Sequence, residues 1–344
     1  MTLDEIFKTA VDRKASDVHL MADEPVVFRI NGILIRQNDW PVLKKQEIFS
    51  LAQSVLDERA KRRLEKDKEA DLSYEIGDKI RFRINLFWQK GGLSLAARVI
   101  WPKIPTLEEI RAPLIIYELL KLKQGLILVT GPTGCGKSTT LAAMVDWLDN
   151  HYPYHIITLE DPIEFSFTSH KSLISQREMG KDFVSFAQAL RHIVRQDPNV
   201  IMVGEMRDLE TISLVTTLAE TGHLILATLH TPNAPQTIDR IVDVFPSSQQ
   251  PQIRLQLALC LKAIIAQQLV PHLSGGRIAA REVMINTPAV ATLIRENKIV
   301  NISNVIQTGA KDGMQTMDQD LEKLYQLKQI SRETLQSFAT YPIN

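Results

Sequence analysis

The chain has 344 residues, longer than the roughly 100 to 200 of one ordinary domain, so two cores are expected. With 44% hydrophobic and 23% charged residues it has the composition of a folded protein, not of a disordered one. Lys and Arg total 40 against 40 Asp and Glu, a net charge of zero that argues against nucleic acid as the default partner; 2 cysteines are too few for a disulfide scaffold or a four-thiolate zinc site.

From Met1 to Arg13 acidic, basic and apolar residues mix, without the apolar core of a signal peptide. Later segments offer no apolar run near the roughly 20 residues that cross a bilayer, so membrane contact is expected to be peripheral only. Leu3, Ile6, Phe7, Ala10 and Val11 fall at helical spacing and predict an opening amphipathic helix. Val26 to Ile35 reads as two short strands about Asn31-Gly32, a dipeptide suited to tight hairpin turns. A long polar helix is predicted from about Lys44 to Lys66. Ile80, Phe82, Ile84 and Leu86 then alternate with Arg81, Arg83 and Asn85, and past Gly91-Gly92 a partner strand runs from Leu93 to Ile100. Residues 1–100 therefore predict a small α+β domain with an antiparallel sheet.

Trp101-Pro102-Lys103-Ile104-Pro105 resists both helix and central strand, so a linker is expected over 101–112. Beyond it, over 113–344, the period changes. Apolar runs at Leu126 to Thr130, His155 to Leu159, Val200 to Val203 and Leu224 to Thr228 are separated by helical stretches. Such runs predict an α/β domain with a parallel sheet covered on both faces, whose ligands bind at the carboxyl ends of the strands.

Gly131-Pro132-Thr133-Gly134-Cys135-Gly136-Lys137-Ser138 has the spacing of a phosphate-binding loop. The glycines let backbone N–H groups turn onto phosphates, the helix that begins near Lys137 aims its positive end at them, and the lysine reaches the β and γ phosphates. Ser138 is the expected Mg²⁺ ligand, with Thr139 next in the loop. A chance glycine-rich turn is the rival reading, but the strand before and the helix after supply the required context.

Val200 to Glu205 is a second strand with an acidic end, the form of a Walker B element with Glu205 where aspartate is usual, facing Mg²⁺ through water. Glu160, Asp161 and Glu164 follow the His155 strand, and hydrolysis needs one carboxylate to polarise the attacking water. Spacing alone does not choose among them, and taken singly each is as readily a helix cap or a solvated loop residue. His223 and His230 bracket the Leu224 strand, near where a γ-phosphate would be sensed, although isolated histidines are commonly structural.

The segments GPTGCGKSTT at 131–140, ITLEDPIEF at 157–165 and VGEMRDLET at 203–211 together resemble the PilT branch of the type II/IV secretion ATPase superfamily. AETGHL at 219–224, TLHT at 228–231, TIDRIVDVFP at 237–246 and GMQTMDQDL at 313–321 extend the resemblance, and ASDVHL at 15–20 with RFRIN at 81–85 carry it into the amino-terminal part. The resemblance implies a PAS-like amino-terminal domain joined to a RecA-like P-loop ATPase domain ending in a helical segment. It implies an ATP-hydrolysing, Mg²⁺-dependent homohexamer that drives type IV pilus retraction and twitching motility. The same resemblance implies a cytoplasmic ring at the inner membrane, touching a pilus platform protein and in some systems working beside a second retraction ATPase, with no nucleic acid. By the same route Glu164 is the general base, Glu205 the Walker B acid, His223 and His230 the histidine-box residues, and Arg81, Arg83 and Arg98 the arginines that the amino-terminal sheet brings to the nucleotide.

Two departures from the family pattern stand out. Cys135 replaces the usual loop serine, and beside a helix amino terminus its thiol is expected to be alkylation-sensitive without nucleotide. In AVATLIRE, residues 289–296, Ala291 and Thr292 stand where the family's retraction motif carries arginine and asparagine, which bears on the biological output and not on the ATP site. Rival readings are a pilus assembly or type II secretion ATPase, whose usual four-cysteine zinc insertion two cysteines cannot build, a RecA-like nucleic-acid translocase, and a subunit that binds nucleotide without hydrolysing it.

Overall fold

Alternating and unbroken apolar runs produce two different sheets. A computed structural model describes residues 1–30, 32–77, 80–100 and 103–340. By its contacts the chain divides into two compact units, Met1–Lys103 with Glu164–Ser166, and Ile104–Ile163 with Phe167–Asn344. Asn31 of the expected hairpin turn and Trp101-Pro102 of the expected linker lie outside the described residues.

In the first unit the opening helix α1 (Leu3–Asp12) starts in a capping box: Thr2 Oγ1 accepts from the Glu5 N–H and the Glu5 carboxylate accepts from the Thr2 N–H. Strands β1 (Asp17–Leu20), β2 (Val27–Ile30), β3 (Ile33–Arg36), β4 (Glu69–Ile76), β5 (Ile80–Gln89) and β6 (Gly92–Ile100) pair antiparallel in the order β3-β2-β1-β6-β5-β4. Register places Phe82 opposite Val99, Ile84 opposite Ala97 and Leu86 opposite Leu95, all buried. Phe7 of α1 stacks on Phe82 with ring centroids 4.1 Å apart, closing the core over that face.

The long polar helix expected from Lys44 to Lys66 is instead two, α2 (Lys45–Gln53) and α3 (Glu58–Asp67). Asp57 causes the break, because its carboxylate accepts the Ala60 N–H and caps a new helix. Strands β1 and β4 are absent from the sequence reading, the first for its four-residue length and the second for its polar start at Glu69.

The second unit contains β7 (Gly125–Thr130), β8 (His155–Glu160), β9 (Leu173–Glu178), β10 (Val200–Val203), β11 (Leu224–Leu229), β12 (Leu261–Pro271) and β13 (Arg277–Ile285). Their order is β13-β12-β7-β11-β10-β8-β9, with every neighbouring pair parallel except the antiparallel hairpin β12–β13. The short helix α4 (Ile115–Leu119) precedes β7, and α5 (Lys137–His151) follows it.

Successive residues of the central strands feed two separate cores. Leu126 and Leu128 join Ile157, Ile201 and Ile225 beneath the helix Leu209–Glu220. Ile127 and Val129 join Met202, Leu226 and, from α5, Leu141, Met144 and Val145. Burial on both faces is why these strands read as continuous apolar runs, each large side chain contributing about 1.5–3 kcal/mol. The helices Met317–Gln326 and Arg332–Phe338 form a further small core with Val270, Ile278 and Ala280. Among the described residues no helix is long and apolar enough to cross a membrane.

A candidate nucleotide site at the strand ends

At the end of β7 the chain turns at Gly131, where φ is 139°. A Cβ there would stand 2.2 Å from the backbone oxygen of Gln267 on β12 and 2.7 Å from Cys135 Sγ, so only glycine fits. Gly136, with φ 89°, ends the loop and caps the start of α5. Pro132, Thr133 and Gly134 form an exposed tip, whereas Ser138 and Thr139 are half-buried in the first turn of α5. That 15-residue helix points its positive end at whatever the loop holds.

Lys137 is buried beneath this turn, and its Nζ donates to the carbonyl oxygens of Gly131 at 2.7 Å and Pro132 at 3.0 Å. Parallel register brings further groups to the same edge, because Val203 pairs with Ala227 and Leu229 with Thr130. His230, just past β11, therefore lies between loop and acid: its Nδ1 is 3.4 Å from Lys137 Nζ and its Nε2 is 3.2 Å from Glu205 Oε1. Glu205 Oε2 accepts from Arg207 at 2.8 Å. Burial pushes the Glu205 carboxyl up, but the Arg207 hydrogen bond and the nearby His230 outweigh it and hold the group below the usual carboxylate range. Arg207 went unnamed in the sequence reading, and its place two residues after Glu205 was the available signal.

The remaining predicted residues are distributed differently. Glu160 is buried and already engaged, accepting from Thr158 Oγ1 at 2.6 Å and Gln176 Nε2 at 3.1 Å. His223 precedes β11, with its backbone oxygen accepting from the Gly125 N–H at the amino end of β7 and its Nδ1 facing the Leu218 oxygen. At about 3.3 Å per residue, β11 separates it from His230 by roughly 20 Å, so the two histidines do not flank one site within this chain. The two histidines bracket β11 as expected, but only His230 lies at the end that carries the phosphate loop, and His223 lies at the other.

Glu164, half-buried, and Arg81, Arg83 and Arg98 belong to the first unit, so the second unit by itself brings together Lys137, Glu205 and His230 and not these four. On the six-stranded sheet the three arginines share the face opposite the apolar core, with Arg83 directly across from Arg98. Arg98 Nε donates to Asp17 Oδ1 at 2.8 Å, and Arg81 Nε lies 3.6 Å from Glu75 Oε2. Cys135 also departs from expectation. It is 3% exposed, and burial pushes its thiol up against the opposing pull of Lys137, so a readily alkylated thiolate is not what the loop presents. Ala291 is buried in the main core of the second unit, while Thr292 is half-buried and its hydroxyl accepts from Arg295.

Beside the loop opens a cleft of about 360 Å³, lined by Ile110, Arg111, Thr139, Thr140, Gln267 and Arg281 among others. Arg281 is almost wholly buried, donates to the Ile110 and Arg111 carbonyls at 3.0 Å each, and is lowered to about 10 by burial. Glycines at positive φ, a buried ammonium and the amino end of α5 fit polyphosphate, and the adjoining cleft has room for the rest of a nucleotide. Mg²⁺ keeps several waters and takes few, oxygen-bearing protein ligands, the chemistry that the Ser138 hydroxyl and the Glu205 carboxylate offer.

Folds of this construction, with a phosphate loop between a parallel strand and its helix, are P-loop nucleotide-binding proteins, and this chain is one. It belongs to the Type II/IV secretion system protein family, which it matches over residues 1–337. Over the full length of both chains it is 44% identical to the type IV pilus retraction ATPase PilT of Pseudomonas aeruginosa. It is 46% identical over 299 residues, 87% of this chain and 80% of the relative, to a twitching motility protein of Neisseria gonorrhoeae. Among solved structures it is similar to that of the pilus retraction motor PilT with bound ADP, with a TM-score of 0.92 and 44% identity, covering 99% of this chain and 98% of that one.

Proposed function

We propose that this chain is a motor ATPase of type IV pilus retraction, hydrolysing ATP as a cytoplasmic homohexamer against a pilus platform protein at the inner membrane. The observation that carries the reading is the convergence of Lys137, His230 and Glu205 on a glycine loop, in a chain 44% identical end to end to a retraction ATPase.

In this reading the Gly131 to Thr139 backbone receives the phosphates and Lys137 turns from the loop carbonyls to the γ-phosphate. Ser138 and Glu205 would hold Mg²⁺, which spreads the charge of the phosphates when bound. Glu205 suits that task because Arg207 and His230 offset the burial that would otherwise push its carboxyl up. Glu164 takes a proton from the attacking water. Arg81, Arg83 and Arg98, carried by the PAS-like amino-terminal domain of residues 1–100, approach the nucleotide when subunits close, which couples hydrolysis to movement.

The test uses purified full-length chain. Wild type should hydrolyse ATP, and Lys137→Ala should lose about 10²–10³-fold in turnover, the scale of removing one transition-state donor. Glu164→Gln should still bind ATP but not turn it over, and turnover equal to wild type refutes the assigned base. In a piliated host, deletion should leave more pili and less surface motility; fewer pili would indicate assembly instead.

A further inference from the structure

A polar side chain sits where the pattern of its strand calls for an apolar one. Gln267 is 2% exposed on β12, between Ile265, which is wholly buried, and Leu269, which lines the cleft on the same strand face. Its two amide atoms are both used. Nε2 donates to the Cys135 carbonyl at 2.8 Å, and Oε1 accepts from Thr140 Oγ1 at 2.9 Å. A carbonyl can only accept, so the orientation of the amide is fixed by its partners. The backbone oxygen of the same residue lies 2.2 Å from where a Gly131 Cβ would be, and its Nε2 lies 3.3 Å from a Cβ at Gly136. One residue of the neighbouring strand thus touches the start of the phosphate loop, its fifth residue, its last glycine and the first turns of α5.

We propose that Gln267 is a positioning residue for nucleotide binding: from β12 its side-chain amide holds the Cys135 carbonyl outward, so that the loop N–H groups stay turned toward the phosphates. The proposal rests on the phosphate-binding role assigned above to residues 131–138. The peptide after Cys135 has its carbonyl and its N–H on opposite sides, so tethering the oxygen to β12 fixes the direction of the Gly136 N–H. Without the tether the carbonyl is buried and unsatisfied, and it regains a partner only if the loop rotates. Such a loss costs about 1–3 kcal/mol, roughly 5- to 150-fold in affinity. Packing alone needs only a residue of similar volume, so a structural role and a positioning role separate experimentally.

The experiment measures ATP and ADP affinity by calorimetry on the full chain from pH 6 to pH 9, for wild type, Gln267→Met, Gln267→Glu and Thr140→Val. Gln267→Met keeps the volume and should bind ATP about tenfold to a hundredfold more weakly while melting within a few degrees of wild type. Gln267→Glu supplies the pH readout. Protonated, its carboxylic acid donates to the Cys135 carbonyl and affinity stays within a few-fold of wild type. Ionised, it faces that carbonyl with a second acceptor, so affinity relative to wild type falls as pH rises. Burial places that change above the ordinary carboxylate value of about 4.3.

Other titratable or charged groups face the same cleft: Cys135 from the loop, Glu109 and Arg111 from the linker, His272 and Arg277 near the β12–β13 turn, and Arg281 from β13, with Lys137 held under the loop by the Gly131 carbonyl. They are present in both proteins and cancel in the ratio. Thr140→Val frees the anchor of the amide without touching the sheet and should weaken binding several-fold, which carries the test if a Gln267 variant fails to fold. Folded variants that bind ATP like wild type at every pH overturn the proposal. Wild type that binds no ATP overturns instead the phosphate-loop reading beneath it.

Discussion

The two sheets of this chain solve opposite problems. On the antiparallel sheet one face is covered, so β5 alternates Phe82, Ile84 and Leu86 inward with Arg81, Arg83 and Asn85 on the other face. On the parallel sheet every residue of β7 and β11 is buried, because helices cover both faces. A covered sheet has no face to spare, so its chemistry gathers where strands stop, at Gly131, Glu205 and His230. A half-open sheet can carry charge along its whole length, as Arg83, Arg98, Asp17 and Arg29 do across neighbouring strands.

The sharpest way to break that comparison is to place the same methyl group in both sheets' turns. Gly131→Ala would drive a Cβ into the Gln267 carbonyl at 2.2 Å on top of an unfavourable φ of 139°, so strand β12 or the loop must shift. We expect ATP turnover to fall more than about 100-fold and stability to fall by roughly 4 kcal/mol or more, the range reserved for such clashes. Gly32→Ala, in the hairpin of the half-open sheet, meets nothing within 4 Å at φ 84°, leaving only the left-handed backbone cost of about 1–2 kcal/mol. Equal losses by urea denaturation at the two positions would erase the distinction between a turn pressed on a neighbouring strand and one in open space.

Neighbouring substitutions along one strand sharpen it further. Ile127→Ala and Leu128→Ala fall in different cores and should each cost about 2–5 kcal/mol. On β5 the cost should alternate: Leu86→Ala as large as those, Arg83→Ala, exposed, within about 0.5 kcal/mol. An Arg83→Ala loss approaching that of Leu86→Ala would mean that the open face carries structure as well as charge.

This difference also governed what could be read from sequence. Both sheets announced themselves, β5 and β6 by their period of two and the parallel strands by unbroken apolar runs. The phosphate loop was legible down to single residues because its chemistry is local, a run of eight positions in one turn. What sequence could not supply was register. It set His223 and His230 on either side of one strand, and the parallel pairing of β7 and β11 shows which of them, His230, shares the end that carries the phosphate loop. Gln267 was hidden for the same reason, since its partners Cys135 and Thr140 lie 132 and 127 residues away. The Lys44 to Lys66 break escaped because Asp57 acts as a cap only once the chain has turned.

Cys135 provides the smallest effect and a test of how closed the loop is. A thiolate, not a thiol, is the nucleophile, so raising the pKa of a buried thiol lowers its reactive fraction at any given pH. Burial raises the Cys135 thiol above its ordinary value, with Lys137 pulling the other way, whereas Cys260, more deeply buried and near the Glu220 carboxylate, is pushed up to about 12 despite the opposing pull of Lys262. At pH 7.5 iodoacetamide should therefore modify Cys135, buried and with its thiol pushed up, more slowly than an ordinary exposed thiol. The rate should climb as pH passes 9, and Cys260 should lag throughout. Mass spectrometry of timed samples reads both sites at once. Rapid modification of Cys135 at pH 7.5 would show that the loop opens far enough to expose its fifth residue, and the burial that covers β7 along its length would then stop short of its phosphate loop.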